Sequence, residues 1–172
     1  MRRSLLASHF RSFATLCILA TAGAASGCGG GHDVTPEAID QAKQLWTKAG
    51  IRDYDLEWTV AGAQSNHYYV TVRGGEVRKV ESMLPDGRRI VLKSFDTRYF
   101  SVDGLFLTMA DYVALLKKDQ PGGESKVAQV VMRFKPDSKL GYPLWFRRDV
   151  MGSTQALAID VVKLEPAASP SK

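Results

Sequence analysis

The sequence predicts an α+β fold: a single antiparallel sheet of six to seven strands with two helices on one face, in the order α-β-β-β-β-α-β-β-β. Three observations predict it. Residues 36–49 and 102–118 repeat apolar side chains at helical spacing, and each segment carries one apolar stripe. The segments between and after them alternate apolar with polar residues, the period of a strand with one wet face. Glycine-rich and Asp-Gly turns join the strands in hairpins, too short for parallel crossovers. The 172 residues are 45% hydrophobic and 24% charged, a globular balance that rules out collagen-like, coiled-coil and wholly disordered chains.

The first helix starts at Thr35-Pro36-Glu37, with Thr as N-cap, Pro at the first helical position and an acid in the first turn. Ile39, Ala42, Leu45, Trp46 and Ala49 form its stripe, and Gly50 stops it. Tyr54, Leu56, Trp58 and Val60 then alternate with polar residues, and Ala61 to Asn66 is a turn. Tyr68, Val70 and Val72 make the next strand, Gly74-Gly75 a tight hairpin, and Val77 to Ser82 the return. Val77 and Val80 stand an odd number apart, which calls for a bulge or twist. Pro85-Asp86-Gly87 turns into the short strand Ile90 to Leu92. Ser101 caps the second helix, whose stripe runs through Val102, Leu105, Phe106, Met109, Val113 and Leu116. A loop at Asp119 to Ser125 leads to the strands Val127–Lys135, Leu144–Asp149 and Ala156–Leu164. Glu165 to Lys172 is a polar, proline-punctuated tail with no partner face, expected to be disordered.

The amino terminus reads as an address. Three of the 23 basic residues (Arg2, Arg3, Arg11) and no acid lie in the first 27 residues, which leaves 20 bases against 18 acids, a net of +2. That remainder gives no reason to expect nucleic acid as a partner. Phe13 to Ala25 is an uncharged apolar run, well short of the ~20 residues that span a bilayer and of the length of a signal-peptide core. Ala25-Ser26-Gly27 before Cys28 resembles a bacterial lipobox, with Ala25 where Leu is common. The resemblance implies cleavage before Cys28 and lipid on its thiol, and two or three acyl chains anchor stably where one is marginal. An ordinary secretory signal is the alternative. The expected organisation is signal peptide 1–27, lipidated Cys28 and glycine-rich tether 28–34, one domain 35–164, and tail 165–172. Cys17 would leave with the signal peptide, so the mature domain holds no free thiol, disulfide or cysteine nucleophile. In a Gram-negative host, Gly29 lacks the Asp that retains lipoproteins at the inner membrane, which points to the periplasmic side of the outer membrane.

Five blocks occur in order: Gln44-Leu45-Trp46; Gly50-Ile51-Arg52-Asp53-Tyr54; Val70 through Val77; Ser101-Val102-Asp103-Gly104-Leu105-Phe106; and Gly141-Tyr142-Pro143. Together they resemble an uncharacterised family of secreted bacterial lipoproteins, the domain of unknown function 6174, from about Pro36 to Leu164. That family often carries a Cys-containing segment in its first hairpin and an Asp-rich segment before its last strand. Here those places hold Ala61–Asn66 and Val150–Gln155, so functions resting on them do not carry over. The resemblance implies a fold and an address, and no activity.

Catalytic patterns are sparse. A Ser–His–acid set of Ser65, His67 and Asp55 has no nucleophile elbow or oxyanion loop beside it. Asp53, Asp55 and Glu57 share a strand face at ~7 Å spacing, but no loop of oxygen ligands accompanies them. No cofactor, no metal and no enzymatic activity is expected. The candidate binding surface is Trp145, Arg147 and Arg133. Strand parity puts Trp145 and Arg147 opposite Phe146, and burying Phe146 with Met132, Phe134 and Ile159 leaves Arg133 outside with them. Arg148 shares parity with Phe146 and is expected at the strand's frayed end. The function expected is a membrane-anchored envelope lipoprotein, a non-enzymatic module binding an envelope protein or cell-wall polymer. Two alternatives stand beside it: an inhibitor of a secreted hydrolase, using loop 61–66 or 136–143 as its plug, and a hydrolase.

Overall fold

The computed structural model describes residues 30–167, apart from 64, 95 and 119–128. The signal peptide, Cys28, the strand start expected at Val127 and the tail beyond Ala167 lie outside the described residues.

Both helices form where capping and periodicity place them. Helix α1 spans Pro36–Ala49; the Thr35 hydroxyl accepts a hydrogen bond from the Ala38 N–H at 3.1 Å, and Gly50 closes the helix at φ 65°. Helix α2 spans Val102–Lys118, and the Ser101 hydroxyl accepts from the Gly104 N–H at 3.1 Å. A single 3-10 turn, Thr97–Tyr99, precedes it and packs against Gly104, where an added Cβ would stand 2.4 Å from the Arg98 carbonyl oxygen.

Eight strands make one antiparallel sheet: β1 His32–Asp33, β2 Tyr54–Ala61, β3 Asn66–Arg73, β4 Glu76–Met83, β5 Arg89–Val91, β6 Val130–Pro136, β7 Pro143–Val150 and β8 Leu157–Pro166. Their spatial order is β1-β6-β7-β8-β2-β3-β4-β5. Two meanders, β2 to β5 and β6 to β8, are thus sewn together by the pairing of β2 with β8, and α2 carries the chain from one to the other. Six to seven strands were expected; the eighth is β1, drawn from the segment expected to be tether. Its pairing with β6 satisfies backbone groups that an open edge would leave unpaired, and Val34 is buried as its N–H donates to the Met132 carbonyl at 3.1 Å. The other limit moves as well. β8 runs to Pro166, Glu165 pairs with Asp55, and the Ala167 N–H donates to the Asp53 carbonyl at 2.8 Å. Glu165 and Pro166 are therefore sheet rather than tail, and Ala167 is tied to the sheet by its hydrogen bond.

Two bulges keep the alternation in phase. Val72 pairs with Val77 while Thr71 pairs with Lys79, so Arg78 is the unpaired residue that the odd Val77–Val80 spacing requires. In β8, Trp58 pairs with Val161 and Glu57 with Lys163, which leaves Val162 out and exposed. Without that step the apolar Leu164 would point to the wet face.

The core is one cluster under both helices: Ile39, Ala42 and Trp46 from α1, Val102, Leu105, Phe106 and Met109 from α2, and the inward residues of the sheet. Val113 is only half-buried, and Leu45, expected on the α1 stripe, is 43% exposed because it rims the 136–143 turn rather than the sheet. Tyr54 fixes where the helices sit. Its ring meets Trp46 of α1 edge-on at 5.4 Å, and its hydroxyl accepts a hydrogen bond from the Val102 N–H at the start of α2, at 3.1 Å. One strand side chain reaches both helices, so both lie on the same face.

Burial pushes the Tyr54 hydroxyl from the ordinary 10.0 up to about 12, against the opposing pull of the Val102 hydrogen bond. The folded chain therefore keeps a proton that the unfolded chain releases above pH ~10. The stability tied to it is whole below pH ~10 and is lost as pH rises toward ~12. Between pH 9 and pH 11, urea unfolding should show the wild type losing about 1 kcal/mol more than Tyr54→Phe. Equal losses in the two proteins would mean that Tyr54 ionises as freely folded as unfolded.

Candidate functional site

The helices cover one face of the sheet and leave the other open. Residues whose parity opposes the core lie there: Arg133 and Lys135 on β6, Trp145 and Arg147 on β7, Asp160 and Lys163 on β8, Asp55 and Glu57 on β2, His67, Tyr69 and Arg73 on β3. Trp145, Arg147 and Arg133 thus share the helix-free face, while Phe146, Phe134, Met132 and Ile159 are buried beneath the helices.

The three expected surface residues turn out to be engaged. Arg147 donates to the carbonyls of Phe146 at 3.0 Å and Ile159 at 2.8 Å and pairs with Asp160. Its guanidinium also sits 5.3 Å from the centre of the Trp145 ring. The Trp145 ring lies against the incoming chain: a Cβ on Gly31 would stand 2.3 Å from its outer edge. Arg133 donates to the Gly31 carbonyl at 2.9 Å, and Lys135 lies beside Gly30. Tryptophan, arginine and lysine together hold residues 30 and 31 on the sheet, and glycine at 31 permits the approach. No pattern in the linear sequence pairs Gly31 with Trp145, because strand β1 creates the contact.

Arg148 departs from expectation. The strand does not fray at this residue; it pairs with Met132 and Leu157, and β7 continues to Val150. Its guanidinium stays on the helix side, 5.0 Å from the ring of Tyr112, which itself stacks on Phe146 at 6.0 Å. The cation–π contact replaces the solvent exposure that fraying would have given.

Farther along the open face, a concavity of about 420 Å³ is lined by residues including Asp55, Glu57, Tyr69, Arg89 and Lys163. Arg89 lies 3.3 Å over the Tyr69 ring, His67 stacks on Tyr69 at 4.7 Å, and the His67 Nε2 is 2.7 Å from the Glu57 carboxylate. Asp55 is paired with Arg73 at 3.1 Å, Glu81 with Lys79 at 2.9 Å, and Glu165 with Lys163 at 2.8 Å. These carboxylates are therefore each paired with a base, each exposed pair contributing little to stability, while Arg89 rests on the Tyr69 ring. His67 meets Glu57 and not Asp55, so the structure does not assemble the Ser65–His67–Asp55 set. Among the described residues no group of three or more His, Cys, Asp and Glu side chains could hold a metal ion.

Of the two loops considered as plugs, 136–143 is tied inward. Asp137 accepts from the N–H groups of Lys139 and Leu140 at 2.9 and 2.7 Å, and an added Cβ on Gly141 would stand 2.2 Å from the Ala42 carbonyl of α1. Loop 61–66 includes Gln64, outside the described residues.

In comparisons with known proteins, no family model matches the chain, and no curated protein matches it either. The likeness to the lipoprotein family thus rests on its five sequence blocks.

Because the Gly31 contact holds the chain on Trp145, Gly31→Val should push it off. Acrylamide quenching of tryptophan fluorescence should rise, since Trp46 and Trp58 are buried and Trp145 is the accessible ring. Unchanged quenching would mean that residue 31 does not cover Trp145.

Proposed function

We propose that the protein is a lipid-anchored envelope lipoprotein whose folded domain is a non-enzymatic binding module for another envelope component. The single observation that carries this is the place where the chain joins the sheet. Gly31, three residues after Cys28, lies against Trp145 and the Phe134 carbonyl, toward the end of the sheet where the 136–143 turn joins β6 to β7. A span of three residues reaches at most ~11 Å. An anchor at Cys28 would hold that end of the sheet close to the bilayer and direct the opposite end, with the 61–66 and 150–156 turns, away from it. Strands of eight residues separate the two ends by about 25 Å.

The lipobox-like Ala25-Ser26-Gly27-Cys28 supports the anchor, and Gly29-Gly30-Gly31 suits a short connection. The non-enzymatic reading is supported by the chemistry on the open face: its carboxylates are paired with bases, and among the described residues His67 has the Glu57 carboxylate as its side-chain partner and no hydroxyl nucleophile. Strapping of the 136–143 turn onto α1 weakens the inhibitor reading, which needs a protruding loop.

Mass spectrometry of the mature protein is expected to show an amino-terminal Cys28 bearing diacylglycerol and a further acyl group. A Cys28→Ser variant should lose the added mass and leave the membrane fraction. A mature terminus at any other residue removes the anchor. Turnover in a hydrolase panel, abolished by His67→Ala, removes the non-enzymatic reading.

A further inference from the structure

Two adjoining cavities open on the helix side of the sheet, toward the end remote from Gly31. The first, about 370 Å³, lies between α2 and strands β2 and β8 and is walled by Trp58, Val60, Tyr112, Leu115, Leu157 and Ile159. The second, about 520 Å³, shares Val60, Tyr112 and Leu157 with the first and adds Asn66, Arg148 and Gln155. Each falls in the size range of small-molecule sites. Together they make a trough that is apolar at one end and polar at the other.

Its charges are arranged along the same axis. Arg148 stands at the polar end with no ion pair among the described residues; its guanidinium lies over the Tyr112 ring. The neighbouring Arg147, on the opposite face, is held by two carbonyls and paired with Asp160. Asp111 borders the apolar end, where its carboxylate accepts a hydrogen bond from the Tyr99 hydroxyl at 3.1 Å. An anionic head group is thus drawn toward Arg148 and repelled from the far end. The wall itself is unfinished as a core: Leu115 is 51% exposed, and the shielded indole N–H of Trp58 has no acceptor among the described residues.

We propose that this trough is a binding site for a single-chain amphiphile with a carboxylate head, of the fatty-acid class. The chain lies between α2 and the β2–β8 pair, over Val60, Leu157 and Ile159. The carboxylate takes the guanidinium of Arg148, whose planar donors match its two oxygens. Burial of the chain supplies the affinity, and Arg148 sets polarity and direction. The site is independent of how the protein is anchored.

The test uses the chain from residue 28 with Cys28→Ser, which keeps every described residue, titrated calorimetrically with dodecanoate and with dodecanol below their aggregation limits. Saturable binding of one dodecanoate per chain is expected. Arg148→Gln should weaken dodecanoate by about tenfold or more and leave dodecanol unchanged. Leu115→Glu, at a half-exposed position, should abolish binding of both with its thermal unfolding little altered. The proposal fails if dodecanoate does not saturate, if Arg148→Gln affects both ligands alike, or if Leu115→Glu still binds. It also fails if binding appears only after residues 121–126 are deleted, which would give the trough to the chain's own loop. A ligand-free dimer that Leu115→Glu dissociates would give it to a second copy and equally overturn the proposal.

Discussion

Sheet and helices meet at Tyr54. Its ring is wedged against Trp46, its hydroxyl receives the first free N–H of α2, and its strand lies at the centre of the sheet between β8 and β3. A helix amino terminus leaves N–H groups without intrahelical partners, and in a buried place each needs an acceptor. Ser101 supplies one for Gly104, and Tyr54 supplies the other for Val102. The start of α2 is therefore tied to a definite point on β2. The direction of α2 across β7 and β8 follows, with Tyr112 over Phe146 and Arg148 over Tyr112.

The second constraint is phase. A strand exposes alternate residues, so an insertion of one residue exchanges its two faces. β8 pairs with β2 over nine residues of its own, Ala158 to Pro166, against eight of its neighbour. The bulge at Val162 lets Ile159 and Leu164 both point inward, although they stand an odd number apart. The bulge at Arg78 does the same for Val77 and Val80. Both faces of the protein depend on these two residues, the buried one for its apolar content and the open one for its ion pairs. Asp55 can meet Arg73, and Glu57 can meet His67, because β2 and β3 remain in phase.

Adjacent arginines on β7 show how strongly the faces differ. Arg147 enters a polar lattice, donating to two carbonyls and to Asp160. Arg148, one residue on, is carried to the helix side, where an aromatic ring is its neighbour and a trough opens beside it. The identical side chain is structural on one face and available on the other. Trp145 is likewise redirected: a ring on the open face becomes a cover for the entering chain as soon as β1 joins the edge of β6.

The linear sequence determined the elements and their faces. Helices 36–49 and 102–118 were legible to the residue because Thr35-Pro36, Gly50 and Ser101 act within one helical turn, and local hydrogen bonds decide where helices begin and end. Strand parity separated Trp145 and Arg147 from Phe146 for the same reason: alternation is a property of the backbone alone. Boundaries set by distant partners were out of reach. His32–Asp33 is a strand because β6 offers it an edge, and Glu165 to Ala167 are held by Asp53 and Asp55, more than a hundred residues away. The candidate sites divide along the same line. Which residues face outward could be read from periodicity. Whether they are occupied, as Trp145 and Arg133 are by Gly31, or left beside open space, as Arg148 is, depends on contacts between segments that only the closed sheet and the packed α2 bring together.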